Sequence, residues 1–289
     1  MKKKIIIALF VSLVFPPLVK AHEEPAKTLK EKKDKEEKRL KIKSQNLRSQ
    51  TIWKYEVKEG IADTRSKQKF LVTEYSKEGN IAAMILYKPG DSLEAKTMFT
   101  YDDDNNMITD TDYNPDGSMV DSIVYQYDDR GRVISESNYN PDGSLNSEFI
   151  WVRKNPNEII MTDISLNDSI TNWYIYTYSG HPDSSDVIEI EQKDKYGDPV
   201  MYVENVFSHT GLRTHKKIRD ARGDLMYYFE YAYMERTKLT AFIEKKSPEG
   251  QRLSKTVYSY GIYELVTSFE SFDGDDKLMS SGEYTYTSY

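Results

Sequence analysis

Hydrophobic and polar positions alternate in short runs from about Thr51 to the C-terminus, and each run stops at a cluster of Asp, Asn, Gly or Pro. In Ser122–Asp128, Ile123, Tyr125 and Tyr127 fall on one face and Ser122, Gln126 and Asp128 on the other, with Val124 out of pattern. No stretch sustains a helical period, so the pattern predicts strands of about seven residues separated by turns. Two later runs differ. Asn172–Tyr178 and Leu225–Met234 are aromatic on both faces; in the second, Leu225, Tyr227, Phe229, Tyr231 and Tyr233 share one face and Met226, Tyr228 and Met234 the other. A strand apolar on both faces is covered on both. The sheet there rolls on itself, or a partner, a second copy of the chain or the N-terminal segment lies over it.

The turns repeat. Tyr113-Asn-Pro-Asp-Gly117-Ser-Met119 returns 26 residues later as Tyr139-Asn-Pro-Asp-Gly143-Ser-Leu145, with Tyr127-Asp-Asp-Arg-Gly131-Arg-Val133 between them. The common form is aromatic-x-x-x-Gly-x-apolar, and weaker copies run from Tyr75 to Leu278, with Asn105 and Asp276 in place of glycine. The closing apolar positions 81, 93, 107, 119, 133, 145 and 159 are spaced alternately by 12 and 14 residues. The unit is therefore two strands and two turns, 26 residues long. Gly supplies the positive φ of a bulged hairpin turn, and the tyrosine before the turn pairs with the apolar residue after it to fix the register. The predicted fold is all-β: an antiparallel meander of repeated hairpins in a curved or rolled sheet.

The segment Tyr125-Gln-Tyr127-Asp128-Asp-Arg-Gly131-Arg132-Val133 resembles the YD-repeat, or rearrangement-hotspot (RHS), family, with Tyr127-Asp128 as the name-giving pair. The resemblance runs in degenerate form from Thr73 to Leu278 and is specific between Tyr101 and Leu145. It implies long β-hairpin sheets that curl into shells, and hence a scaffold or binding surface. Most copies here lack the Asp after Tyr, and the chain is too short for the family's large shells.

The N-terminus has another texture. Lys2, Lys3 and Lys4 precede an apolar stretch from Ile5 to Leu18, and Val19-Lys20-Ala21 offers a cleavage site, so residues 1–21 read as a secretory signal peptide. Residues 22–50 are highly charged, with Glu31–Lys35, Asp34–Lys38 and Glu37–Lys41 at i,i+4 spacing. Leu29, Leu40 and Leu47 are too sparse for a buried stripe. This segment is predicted to be a short solvated helix or a disordered spacer ahead of a β-domain over residues 51–289. The export signal places the chain in the periplasm, on the cell surface or outside the cell.

The chain has no cysteine, which excludes disulfides, thiolate metal sites and cysteine nucleophiles. The formal net charge of −7 becomes more negative once a leader holding four lysines is removed, and it argues against nucleic acid. No transmembrane span is expected in the mature chain.

His22, His181, His209 and His215 show no metal spacing, and no nucleophile elbow, zinc motif or phosphate loop is present. Asp112-x-Asn114-x-Asp116-Gly117 matches the first half of a calcium loop, but Ile123 stands where its bidentate Glu belongs. No catalytic, cofactor or metal residue is assigned. The expected function is that of a non-catalytic exported interaction or scaffold protein binding a protein or a surface glycan, with self-association allowed. Its tyrosine-rich contact surface is assigned to Trp151, Trp173, Tyr174, Tyr176, Tyr227, Tyr228 and Tyr231, aromatic side chains with large area and little rotamer entropy to lose. A carbohydrate-binding module and an outer-membrane β-barrel are the alternatives.

Overall fold

The computed structural model describes residues 26–165 and 169–289; the signal peptide expected over residues 1–21 lies outside the described residues. A helix, α1 (Leu29–Ser44), precedes eighteen strands. The first nine are β1 (Leu47–Lys58), β2 (Ile61–Tyr75), β3 (Ile81–Lys88), β4 (Ser92–Tyr101), β5 (Met107–Tyr113), β6 (Met119–Tyr127), β7 (Val133–Tyr139), β8 (Leu145–Asn155) and β9 (Glu158–Ser165). The others are β10 (Ser169–Tyr178), β11 (Val187–Asp194), β12 (Pro199–Phe207), β13 (Arg213–Asp220), β14 (Leu225–Tyr233), β15 (Thr240–Lys246), β16 (Arg252–Tyr260), β17 (Val266–Asp273) and β18 (Leu278–Ser288).

The turn motif accounts for the meander. Between β6 and β7 the Gly131 N–H donates to the Asp128 carbonyl at 2.9 Å and the Asp128 N–H to the Arg132 carbonyl at 3.0 Å. This is a type I turn followed by a bulge residue, and Gly131 takes the bulge position at φ 72°, where a Cβ is disfavoured. Asn105 and Asp276 hold the same backbone at φ 60° and 61°. The Asp after the tyrosine also has a role: Asp128 Oδ1 accepts from the N–H groups of Arg130 and Arg132. Asp102, Asp220 and Asp273 repeat that double acceptance.

The predicted cross-hairpin pairs form, Tyr127 opposite Val133, Tyr101 opposite Met107 and Tyr139 opposite Leu145. A second link follows the 26-residue unit. Tyr127, Tyr233, Tyr260 and Tyr286 donate hydroxyl hydrogen bonds to the carbonyls of Met107, Arg213, Thr240 and Val266, each twenty residues earlier.

Each strand pairs antiparallel with the next, and β18 returns to β1 with Tyr286 opposite Gln50 and Tyr284 opposite Ile52. The rolled sheet is thus a closed 18-stranded barrel, and closure removes the edges that an open meander would expose. Alternation then sorts the side chains. Ile52, Leu71, Phe99, Tyr125, Trp151, Ile159, Tyr258 and Phe269 face inward and are at most 6 % exposed. They form one apolar belt, and Val203, Ile218 and Phe229 form a second across β12–β14. Gly282 leaves room for the Phe269 ring, since a Cβ there would stand 2.6 Å from it.

The outer wall of β12–β16 carries a run of ion pairs, with Val200, Met226 and Leu253 exposed near the strand starts. Glu204 meets Lys217 at 2.7 Å and Arg219 at 3.2 Å, Lys246 meets Glu230 at 2.5 Å, and Lys255 meets Glu244 at 3.2 Å.

The N-terminal segment is helical over Leu29–Ser44, and the first strand begins at Leu47, ahead of the Thr51 boundary read from the pattern. Thr28 Oγ1 caps the helix by accepting from the Glu31 N–H at 3.1 Å, and Glu31 reaches back to the Lys27 N–H at 2.7 Å. Leu40 is exposed, as its isolation suggested, while Ile42 is buried with Leu47 and Tyr75.

Candidate binding site at the barrel mouth

The helix is seated by its two ends on opposite sides of one rim. At its start, the Ala26 carbonyl accepts from the Val133 N–H at 2.9 Å, the Leu29 N–H donates to Asp183 at 3.1 Å, and Lys30 pairs with Asp186. These partners lie at the β6–β7 turn and the β10–β11 loop. At its far end, Arg39 donates to the Glu78 carbonyl in the β2–β3 turn, and Lys41 pairs with Glu264 in the β16–β17 turn at 3.2 Å. Sixteen residues at 1.5 Å rise give about 24 Å, so α1 crosses the mouth as a bar.

The seat depends on one motif glycine. A Cβ on Gly79 would stand 2.4 Å from the Arg39 carbonyl and 3.1 Å from the Lys43 nitrogen, whereas one on Gly131 would meet the movable ends of the Lys32 and Asn106 side chains. Gly117 and Gly143, in turns at the other rim, have nothing within 4 Å of such a Cβ.

Charged side chains lock the start of the helix. Arg132 pairs with Asp128 at 2.6 Å and with Asp183 at 2.8 Å, and Arg153 Nη2 donates to the Lys27 carbonyl at 2.5 Å. Burial would raise the Asp128 carboxyl, but hydrogen bonds from Arg132 and the turn N–H groups hold it below the usual range. Burial, helped by the positive charge of Arg132, pulls the Arg153 guanidinium down. Glu36 is held low mainly by its hydrogen bonds from Arg39.

Between α1 and the β2–β7 part of the rim lies a cavity of about 450 Å³. Its roof is the underside of the helix, with Lys32, Lys35 and Arg39; its floor is Ile81, Tyr101, Met107 and Tyr127. The Asp103–Asn106 turn forms one wall. There the side-chain amides are engaged: Asn80 donates to Asn105 Oδ1 at 2.8 Å and Asn106 to the Asp102 carboxylate at 2.8 Å. Among the described residues no group of His, Asp or Glu side chains is arranged to hold a metal ion.

The seven aromatic residues assigned to a contact surface do not share one. Register and burial place Trp151, Tyr174, Tyr176, Tyr227 and Tyr231 on the inner wall and Trp173 and Tyr228 on the outer wall. Trp151 is buried, and its Nε1–H, like the hydroxyls of Tyr178 and Tyr284, is buried without a hydrogen-bond partner among the described residues. The calcium-like loop also divides. Asp112 accepts from Thr97 Oγ1 at 2.6 Å, while Asp116 accepts from the Ser118 N–H at 2.9 Å in the turn.

The mouth site itself was missed in the sequence. Its only signal was the sequence of α1, where Thr28, Lys32, Lys35, Arg39 and Ile42 recur at helical spacing, a stripe that a search for apolar residues passes over.

A model of a family described as "Uncharacterised protein" matches residues 31–162. No curated protein matches the chain. Among solved structures, a porin-like protein from Bacteroides uniformis is 10 % identical with a TM-score of 0.43, covering 83 % of this chain and 98 % of its own. One from Bacteroides vulgatus, also described as porin-like, is 11 % identical with a TM-score of 0.30, at 83 % and 98 % coverage. These scores are below the level of a shared fold.

Proposed function

We propose that this chain is a non-catalytic binding protein of the cell envelope, exported in the way its leader suggests, that takes a ligand through the helix-bridged mouth of its barrel. The observation that carries this reading is the direction of the two walls. Aromatic and aliphatic side chains line the inside, whereas ion pairs run across the outside of β12–β16. Charge on the outer wall is what water solvates and lipid excludes. Donors buried without a partner among the described residues at Trp151, Tyr178 and Tyr284 support the same reading, since a ligand or water inside the barrel would satisfy them. The YD-repeat likeness fits as the way the wall is built: the repeats are scaffold, and the site is where the helix meets them.

The test uses the mature chain and an apolar fluorophore such as N-phenylnaphthylamine. Saturable one-to-one binding without detergent is expected. No binding, or binding that never saturates, would overturn the reading.

A second reading, a barrel seated in the outer membrane, is favoured by the outer wall of β4–β8. There Met98, Ile108, Ile134 and Val152 are 43, 37, 37 and 54 % exposed. Fractionation separates the two: extraction from membranes only with detergent would replace the first reading with the second.

A further inference from the structure

Resting on the mouth-binding reading, we infer that Arg213, at a second opening of the mouth, holds the carboxylate of an apolar organic acid. The helix runs from the β6–β7 and β10–β11 side of the rim to the β2–β3 and β16–β17 side. The β12–β13 and β14–β15 turns therefore border an opening on the side of α1 away from β4–β5. The repeat itself marks Arg213. At this rim the residue that closes the turn motif faces inward and is apolar, as at Ile81, Met107, Val133 and Val266. In Phe207-Ser-His-Thr-Gly211-Leu-Arg213 an arginine takes that place, opposite Phe207. The Tyr233 hydroxyl bonds to its carbonyl at 2.8 Å, just as Tyr127 bonds to that of Met107. The register that buries a hydrophobe in the other copies thus puts a cation on the inner wall here. A break in a local rule without a compensating contact is the mark of a functional position.

The guanidinium has no anion of its own. Its carbon lies 5.9 Å from the centre of the Phe207 ring and 5.7 Å from that of Tyr231. Contacts of that kind use the face of the group, whereas its N–H donors lie in the plane. Among the described residues nothing accepts from Nε, and no carboxylate pairs with the group. The carboxylates of β12–β18 are turned away. Glu204, Glu230 and Glu244 pair with cations on the outer wall, Glu270 and Glu283 share that wall by register, and Asp220 and Asp273 cap turns at the opposite rim. Glu235, in the β14–β15 turn, is exposed beside Arg236. Donors gather instead. Tyr233 is raised mainly by burial and also senses the Arg213 charge and the Tyr231 hydroxyl. Tyr258 is raised by burial and then by the hydroxyls of Tyr284, Tyr260 and Tyr231, so these groups are neighbours. Tyr284 is 5 % exposed, and its hydroxyl has no partner among the described residues. A guanidinium edge beside hydroxyls matches the two oxygens of a carboxylate. Val203, Ile218 and Phe229 on the same wall suit an apolar body.

The experiment titrates the mature chain with 2-naphthoate and 2-naphthamide, which share a ring system and differ in charge, and with N-phenylnaphthylamine alongside. The acid is expected to bind one-to-one and at least about tenfold more tightly than the amide. The difference should shrink as salt is raised. R213L, which carries the apolar residue of the other copies, should fold as stably as wild type, keep the amide and lose the preference for the acid. R213K keeps the charge without the fork and should weaken the acid alone, which decides the matter even if R213L does not fold. R222Q, at the opposite rim, should behave as wild type. If the amide binds as tightly as the acid, or either Arg213 variant keeps the full preference, this inference fails and the mouth-binding reading stands. The same holds if N-phenylnaphthylamine binds and neither naphthalene probe does. If none of the three binds, both fail.

Discussion

The two rims of the barrel are built from the same turn and experience different constraints. At the rim formed by β5–β6 and β7–β8, Gly117 and Gly143 serve the backbone alone: φ is 84° and 81°, and the space above each is open. At the other rim, Gly79 and Gly131 have the same conformation, and at Gly79 the absent Cβ also makes room for the α1 backbone. One motif therefore performs two tasks, and the difference between them comes from what the N-terminal segment lies upon. The largest way to break the symmetry is Gly79→Ala. It adds the strain of positive φ and a clash with helix backbone, so a loss on the order of 3 kcal/mol is expected, with early proteolysis of residues 29–44. Gly117→Ala should lose only about 1 kcal/mol in the same denaturation experiment and leave the helix protected. Equal losses would show that the helix is not seated on Gly79.

The turn acceptors sharpen the contrast. Asp128 at the helix rim holds its own turn and also Arg132, which in turn holds Asp183. Asp220 at the opposite rim accepts the same two N–H groups, but its side-chain partner is the exposed Arg222. Asp128→Ala is expected to cost about 2 kcal/mol and to loosen the start of the helix, whereas Asp220→Ala should disturb its own turn only. Hydrogen exchange of the Leu29 and Val133 amides reads the difference.

Acid provides a reversible version. Asp128 and Glu36 are held below their ordinary values in the folded chain. Their stabilisation is therefore fully present above the unfolded carboxylate pKa of roughly 4 and is lost as pH falls through the lower folded values. Asp116 and Asp142 at the other rim are also low, held there first by their Ser118 and Ser144 hydroxyls, but only local turns depend on them. Protection of residues 29–44 should fall at a higher pH than the far-ultraviolet signal of the barrel. Simultaneous loss would mean that helix and barrel unfold as one unit.

The smallest effect is expected at Lys41. Its pair with Glu264 spans 3.2 Å, with the two side chains 41 % and 49 % exposed. Lys41→Ala should change stability by less than about 0.5 kcal/mol, because backbone and buried contacts hold the helix more firmly than this surface pair does.

Much of the wall was legible because its signals are local. Tyr127, Gly131 and Val133 lie within seven residues, so the turn, its positive φ and the cross-strand pair can be read from one short segment. The faces of Ser122–Asp128 and Leu225–Met234 were also correctly divided, since alternation holds within a strand. Placing the seven aromatic residues on a common surface went wrong for a physical reason. Trp173 and Tyr174 are neighbours and must take opposite walls, as must Tyr227 and Tyr228. The bulge after each turn adds one residue, so Met107 and Asp110 share the inner wall although an odd number of positions separates them.

The sequence alone determined the period, the turn chemistry, the antiparallel pairing of neighbours and the absence of cysteine chemistry. All of these rest on backbone preferences and contacts a few residues apart. Only the tertiary structure decided that the sheet closes between β1 and β18, which aromatic face becomes the inside, and that a charged helix bars one mouth. Those outcomes depend on pairings such as Gln50 with Tyr286 and on seats such as Arg39 over Gly79. Such contacts join distant parts of the chain and leave no periodic trace along it.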